Sequence, residues 1–309
     1  MKFIPLYIVL ILLSLSFEAT AGKSVAKKSK DTKKARCSGA ATVSSMKKVE
    51  TRCELTEKEE ATLEELKKAL RRDGISKKKI EAIFTDPEFG LNDSGVKLEK
   101  KNPEKKVASG DADYEWYKKC FGLEKRLPSY MKFIKEHKIE LGAAEKKYGV
   151  DARYIVSILG VESDFSRDVG KFKAINALTT QYILNEKRRK FAYRQLKELI
   201  KYSRKTEKPI YDYTSSYMGA IGCGQFIPSS LNDYFVGKSG KVSKADPYDL
   251  TDCIYSIAYY LKRSRWDKKQ NGKTPEKGSK NWKAIRAYNH SDAYTRFVIE
   301  TADRLKVLD

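Results

Sequence analysis

The sequence predicts a mainly α-helical protein, and three observations carry that prediction. From Tyr114 onward apolar residues recur at helical intervals. Helix-start residues stand where such intervals begin, at Thr56, Ser76 and Asp151. No alternating run is long enough to make a strand, and no segment repeats.

In chain order, "MKFIPLYIVLILLSLSFEATAGK" has a lysine at position 2, an apolar run from Phe3 to Leu15, and Ala19 and Ala21 spaced as a cleavage site. Residues 1–21 are therefore expected to form a secretory signal peptide, with an uncleaved membrane anchor as the competing reading. No cysteine directly follows the apolar run, which argues against a lipoprotein. Residues 22–51 are rich in Lys, Ser, Thr and Ala, with seven basic residues and one acid between Lys23 and Arg36. The expectation is a basic, solvated and disordered tail; its functional reading is a tether to an anionic surface.

Residues 52–112 are expected to hold two short helices and a linker. In "LTEKEEATLEELKKALRRDG" Thr56 and Glu59 have capping-box spacing, and Gly74 follows a basic last turn. "ISKKKIEAIFTDPEF" continues as a second helix, capped by Ser76 and stopped before Pro87. Residues 90–112 are polar and punctuated by Pro and Gly.

Residues 113–309 form the expected core domain. "LPSYMKFIKEHKIELGAAEKKYGV" carries Met131, Ile134, Ile139 and Leu141 as apolar positions before Gly149 closes it. A helix starts at Asp151, and later ones are predicted over 187–203, 249–263, 282–288 and 291–306.

The 309-residue chain is 34% charged with a formal net charge of +22. Loss of residues 1–21 removes Lys2 and Glu18 and leaves that balance unchanged. Such a chain favours polyanions: nucleic acid, an anionic membrane surface or an acidic wall polymer. A secreted chain moves nucleic acid down that order. Cys37, Cys53, Cys120, Cys223 and Cys253 make an odd count, so at least one stays unpaired within the chain. Cys37 with Cys53 is the simplest local pairing, although connectivity stays open at this level.

In "YIVSILGVESDFSRDVG" Ile155, Ile158, Leu159 and Glu162 share one helical face, so Glu162 continues the inward stripe. Asp164 is offset by two residues and cannot share that face, so a local carboxylate pair fails. An inward carboxylate in a helix's last turn faces desolvation and an opposing macrodipole. Both effects raise its affinity for a proton, which suits a general acid.

Other chemistries find little support. The only histidines are His137 and His290, and there is no C-x-x-C or H-E-x-x-H spacing for zinc. No G-x-S-x-G elbow marks a serine nucleophile. "SSYMGAIGCGQFIPSS" is neither a Walker loop nor a dinucleotide fingerprint. Its glycines fit either close helix packing or a backbone brought near a ligand.

"ILGVESDFSRDVG", "KRRKFAYRQL", "SSYMGAIGCGQFIPSS" and "AIRAYNHSDAYTRFV" occur in the order and approximate spacing of the B-type lytic murein transglycosylases, which this chain resembles from about Tyr114 to Leu305. The helices over 57–86 resemble that family's N-terminal region; the tail over 22–51 does not. The resemblance implies a lysozyme-like helical domain with a small helical N-terminal extension. It implies cleavage of the MurNAc-GlcNAc β-1,4 bond of peptidoglycan without water, giving 1,6-anhydro-MurNAc ends. Glu162 matches the single catalytic acid/base. Ser216 and Gln225 match polar groups lining the glycan groove, Tyr288 and Asn289 the pair that closes it, and Arg188 and Arg189 a basic pair facing the sugar peptide. Tyr117 in "YEWYKKCF" and Tyr260 in "IAYYLK" fall at groove aromatic positions. One carboxyl group suffices because the substrate supplies its own nucleophile, unlike glycosidases with paired carboxylates.

The resemblance implies peptidoglycan glycan strands as the partner, no nucleic acid, a monomer, no cofactor, and a periplasmic or secreted location after signal removal. Many relatives carry an acidic calcium loop after the "GQF" motif. This chain reads "YFVGKSGKVSKADPYD", with Gly237, Ser239, Lys241 and Ser243 where acidic ligands are expected, so no metal is predicted. Cys223 replaces an expected aromatic residue, as a free thiol or bonded to Cys253. The rival functions are a muramidase hydrolysing the same bond and a non-catalytic wall-binding protein of the same fold.

Overall fold

The computed structural model describes residue 52, residues 54–93 and residues 111–306. The expected signal peptide, the basic tail, Cys37, Cys53 and most of the linker lie outside the described residues. Within them the chain is mainly α-helical: α1 (Glu57–Arg72), α2 (Lys77–Phe84), α3 (Asp111–Phe121), α4 (Leu123–Glu136), α5 (Lys138–Tyr148), α6 (Ala152–Ser163), α7 (Ala174–Leu184), α8 (Arg189–Thr206), α9 (Pro228–Tyr234), α10 (Leu250–Arg263), α11 (Lys280–Tyr288) and α12 (Asp292–Lys306). The described strands, β1 (Phe172–Lys173) and β2 (Thr214–Ser215), are short and pair antiparallel, Phe172 opposite Ser215.

The N-terminal helices follow local rules. Thr56 and Glu59 form the capping box reciprocally, and the last turn of α1 carries Arg71 and Arg72, which suit the negative end of the helix dipole. Ser76 caps α2 through the amide of Lys79. Arg52 bridges the Glu59 and Asp93 carboxylates at 2.9 and 3.0 Å, and its backbone pairs with Leu91. The bond to Arg52 holds the Glu59 carboxyl down to about 2. Leu66, Leu70 and Ile83 pack into the same apolar cluster as residues from α3 to α12. Several bonds latch this region to the body: the Tyr211 hydroxyl donates to the Ile83 carbonyl at 2.6 Å, the Asn92 amide to Thr180 Oγ1 at 2.9 Å and the Asn176 side-chain amide to the Glu88 carbonyl at 2.7 Å.

Three sequence expectations need correction. The segment read as continuous through 127–150 is broken at His137 into α4 and α5. Ile139, counted there as an inward position, is 83% exposed, because the new helix starts with its own phase. The helices α7 and α9 were not expected. From Ala174 to Ile183 every residue of α7 is buried, so it has no polar face to mark a period.

The same holds for α6, where Tyr154 to Ser163 are all buried. The inward stripe through Ile155, Ile158, Leu159 and Glu162 is real, but the opposite face is covered too, with α12, α10, α5 and α4 packed around it. This helix is the axis on which the site is built. No helix among the described residues is long and apolar enough to cross a membrane.

Candidate active site

The α6 helix delivers Glu162 to the interior, 3% exposed, one residue before the helix ends. Tyr294, from α12, donates its hydroxyl to Glu162 Oε1 at 2.8 Å. Burial first, then the Glu162 charge, push the Tyr294 phenol well above its ordinary pKa, so it stays a neutral donor. The Tyr288 phenol is raised for the same two reasons, which places it within electrostatic reach of Glu162.

Just after Glu162 the backbone turns sharply. Asp164, Phe165 and Ser166 all have positive φ, at 50°, 59° and 69°. Left-handed backbone costs a residue with a side chain about 1–2 kcal/mol, so three in succession need offsets. Phe165 stacks on Phe133 with centroids 4.6 Å apart and meets Tyr130 edge-on at 5.0 Å. Its burial is worth about 1.5–3 kcal/mol, with ring contacts adding roughly 1. Asp164 is paired with Arg126 and Arg167, and Arg126 also donates to the Gly160 carbonyl at 2.7 Å, closing the helix end. Thus Asp164 has a structural occupation that turns it away from Glu162.

The glycine stretch lies against this turn. Ser163 donates its hydroxyl to the Cys223 carbonyl at 2.6 Å and accepts from the Ser166 amide at 2.9 Å. The Gln225 side-chain amide donates to the carbonyls of Val169 at 3.2 Å and Gly222 at 2.8 Å. The Tyr288 hydroxyl donates to the Gly224 carbonyl at 2.6 Å. Gly222 settles why glycine is needed: its φ is +75°, and a Cβ there would lie 2.0 Å from the Pro247 carbonyl oxygen. The glycines therefore make turns and close approaches in a loop, and are not helix-packing residues. Cys223 is bonded to Cys253 of α10, which resolves the open choice between thiol and disulfide and leaves no free thiol there. Closing a loop of 30 residues contributes about 3–4 kcal/mol on the chain-entropy model.

The remaining sequence-predicted residues divide into two groups. Ser216, 3% exposed, accepts from the amides of Met218 and Ala220 at 3.4 and 3.2 Å and shapes the glycine loop from within. Asn289, 6% exposed, ends α11 beside Tyr288, and its carbonyl accepts from the Ser291 amide. Tyr260 donates to the Ala287 carbonyl at 2.6 Å and joins an aromatic cluster with Phe226, Tyr234 and Tyr288. Of this group, Ser216 belongs to the glycine loop, and Asn289 and Tyr260 adjoin Tyr288, which the Glu162 charge reaches. Tyr117 is 2% exposed, stacked on Phe121 at 4.4 Å and set against Phe297. Its contact with the site runs through Tyr294, which feels its charge. Arg188 lies over the Phe191 ring, and Arg189 lies over Tyr182 and donates to the Tyr182 carbonyl at 3.1 Å. That places the basic pair on the turn between α7 and α8.

Sequence reasoning missed Tyr294 and Ser163. Both stand inside quoted motifs, "AIRAYNHSDAYTRFV" and "ILGVESDFSRDVG", but no local rule links residues 132 apart or 60 apart.

The segment after the "GQF" motif does not fit a divalent cation. Asp252 Oδ1 accepts from the Lys238 amide at 2.8 Å and Oδ2 from the Asp246 amide at 2.9 Å. A carboxylate already collecting backbone amides, with Lys238 and Lys241 nearby in sequence, is poor calcium chemistry. Among the described residues no group of three or more His, Cys, Asp or Glu is placed to hold a metal.

A family profile described as "Transglycosylase SLT domain" matches residues 58–277. The membrane-bound lytic murein transglycosylase B of Escherichia coli (strain K12) is 31% identical over 152 residues, 49% of this chain. The match spans only 42% of that relative's length. Soluble lytic transglycosylase SltB1 from Pseudomonas aeruginosa superimposes with a TM-score of 0.67 at 24% identity, covering 80% of this chain and 99% of its own. SltB3 from the same organism, solved with NAG-NAM-pentapeptide and with NAG-anhNAM-pentapeptide, superimposes at 0.66 and 22% identity, covering 81% of this chain and 80% of its own. The fold is thus the lysozyme-like fold of these proteins.

Proposed function

We propose, since this chain belongs to the transglycosylase SLT-domain family, that it is a lytic transglycosylase cutting the MurNAc-GlcNAc β-1,4 bond of peptidoglycan without consuming water. The observation that carries this is a single carboxyl group, Glu162, 3% exposed and held by Tyr294, beside a loop fixed from several sides. Glu162 gives its proton to the leaving glycosidic oxygen as the bond to the anomeric carbon breaks. The resulting carboxylate takes the proton of the muramyl 6-hydroxyl, whose oxygen closes on that carbon as a 1,6-anhydro ring. The group ends protonated as it began, and no second acid is required.

Desolvation favours the neutral acid, while the Tyr294 hydroxyl favours the anion. A group that must be acid in one step and base in the next needs both influences. Gln225, Ser216 and Asn289 hold the groove's backbone and present fixed dipoles to the charge developing on the sugar. Tyr288 and Tyr260 keep the glycine loop against α11. Tyr117 supports the wall that carries Tyr294, and Arg188 and Arg189 meet the peptide carboxylates. The rival hydrolysis needs a second carboxylate or a positioned water in the groove; Asp164, the nearest acid in sequence, is occupied by Arg126 and Arg167, and product mass separates the two reactions.

The reading extends to a monomer acting on glycan strands in the periplasm or outside the cell after loss of residues 1–21, with the basic tail on an anionic wall or membrane surface. Residues 113–309 form its catalytic unit. Mass spectrometry of the soluble products from purified peptidoglycan tests it. Products one water lighter than the hydrolytic ones are expected, and hydrolytic products alone would overturn it.

A further inference from the structure

A groove of about 640 Å³ lies between α1 and α7, lined by Glu65, Lys68, Ala69, Arg71, Arg72 and Tyr182. It is built by a different part of the chain from the Glu162 site. Lys68, Arg71 and Arg72 fall three and four residues apart and share one face of α1. All three are exposed. Their position near the helix C-terminus suits the dipole, but that alone does not set them around a hollow.

Three observations give the groove a ligand. Tyr182 lines the groove, and Arg189 lies over that ring, 5.7 Å from the centroid. Arg189 thereby connects the groove to the basic pair on the α7–α8 turn. The acid following these cations, Asp73, spends its hydrogen bonds on Lys197 at 2.6 Å and Tyr193 at 2.8 Å and reaches Arg72 only through its charge. Glu65 is the carboxylate of the lining, and its charge reaches Tyr182. The groove therefore offers cations in excess, an aromatic face and one acid. That pattern complements a short peptide with more carboxylates than amines. A flat anionic lipid surface would engage the cations alone and make no use of the Tyr182 ring that lines the hollow.

We propose that Lys68, Arg71 and Arg72 of α1 form a subsite for the acidic peptide carried by muramic acid, so that the N-terminal helices take part in substrate choice. This rests on the transglycosylase reading, and the SltB3 complexes show a pentapeptide on the ligand of a relative of this fold. Guanidiniums pair with carboxylates in two parallel bonds, and the apolar part of the peptide lies on Tyr182.

The experiment compares the full chain with the Lys68→Ala/Arg71→Ala/Arg72→Ala variant on two substrates: glycan strands bearing peptides, and strands freed of peptides by an amidase. The variant is expected to show KM raised about tenfold on peptide-bearing strands, the weight of one charge-assisted contact, with kcat unchanged and no change on bare strands. Calorimetric binding of NAG-NAM-pentapeptide should weaken by a similar factor, and more in Arg72→Glu than in Arg72→Ala. Equal loss on both substrates, or unchanged pentapeptide binding, overturns the proposal. Loss of co-sedimentation with phosphatidylglycerol vesicles alongside unchanged pentapeptide binding overturns it in favour of a membrane contact. Absence of anhydro products from the wild-type chain on both substrates would instead sink the underlying reading, and pentapeptide binding would still decide the subsite.

Discussion

The start of α1 and the end of α6 are both capped locally, and they differ in what else holds them. At α1 the capping partners are three residues apart, Thr56 and Glu59, with Arg52 beside them on the Glu59 carboxylate. At α6 the left-handed cap at Asp164 returns its own amide to Gly160 and Leu159, and distant residues add to it: Arg126 donates to the Gly160 carbonyl, Ser163 reaches Cys223 and Tyr294 reaches Glu162. Nearby partners give a helix that any neighbour can use. Distant partners added to the cap give a carboxyl group with one position, held by several elements that must all be folded for it to exist.

The contrast can be broken at either end. Glu162→Gln keeps an oxygen to accept from Tyr294, so melting should move little, while anhydro product formation falls about 10³-fold or more. Retained turnover would remove Glu162 from the chemistry. Cys223→Ser or Cys253→Ser should cost about 3–4 kcal/mol in denaturant unfolding and lower kcat in the folded protein. Unchanged kcat would mean that the glycine turns aim the loop by themselves. Tyr294→Phe removes one hydrogen bond to a charged group, about 1.5–3 kcal/mol, and should lower kcat roughly 10- to 100-fold with KM held. An equal rise in KM would assign Tyr294 to binding.

At the other terminus Thr56→Ala should cost about 1 kcal/mol without altering turnover by the folded enzyme. The pH dependence there has a definite sign. Arg52 holds Glu59 down from 4.5 to about 2. Its stabilisation is therefore complete above the unfolded value and is lost as pH falls through the folded one. Hydrogen exchange across α1 should accelerate over that interval, ahead of exchange in α6.

Legibility in the sequence followed the same division. The caps at Thr56, Ser76 and Asp151 were read correctly because each rule spans only a few residues. Helices α7 and α6 lack a solvent face, so periodicity missed the first and described the second too narrowly. Glu162 was legible because a carboxylate on an apolar helix is rare, whereas Tyr294 looked like any core tyrosine until the fold set it beside that carboxylate. The glycines announced a special loop without revealing that Cys253 anchors it. His137 was read through because nothing in its type announces a helix break.

One oxygen, the Oγ of Ser163, stands where the two motifs cross, bound to the glycine loop on one side and to the left-handed turn on the other. Loop and turn are thereby joined through one side chain, next in sequence to the acid. On the proposed reading, a glycan strand that needs more room cannot lift the loop without straining the bonds that join it to the turn after Glu162. Tyr288 is tied to the same loop through the Gly224 carbonyl, so the end of α11 follows that movement as well.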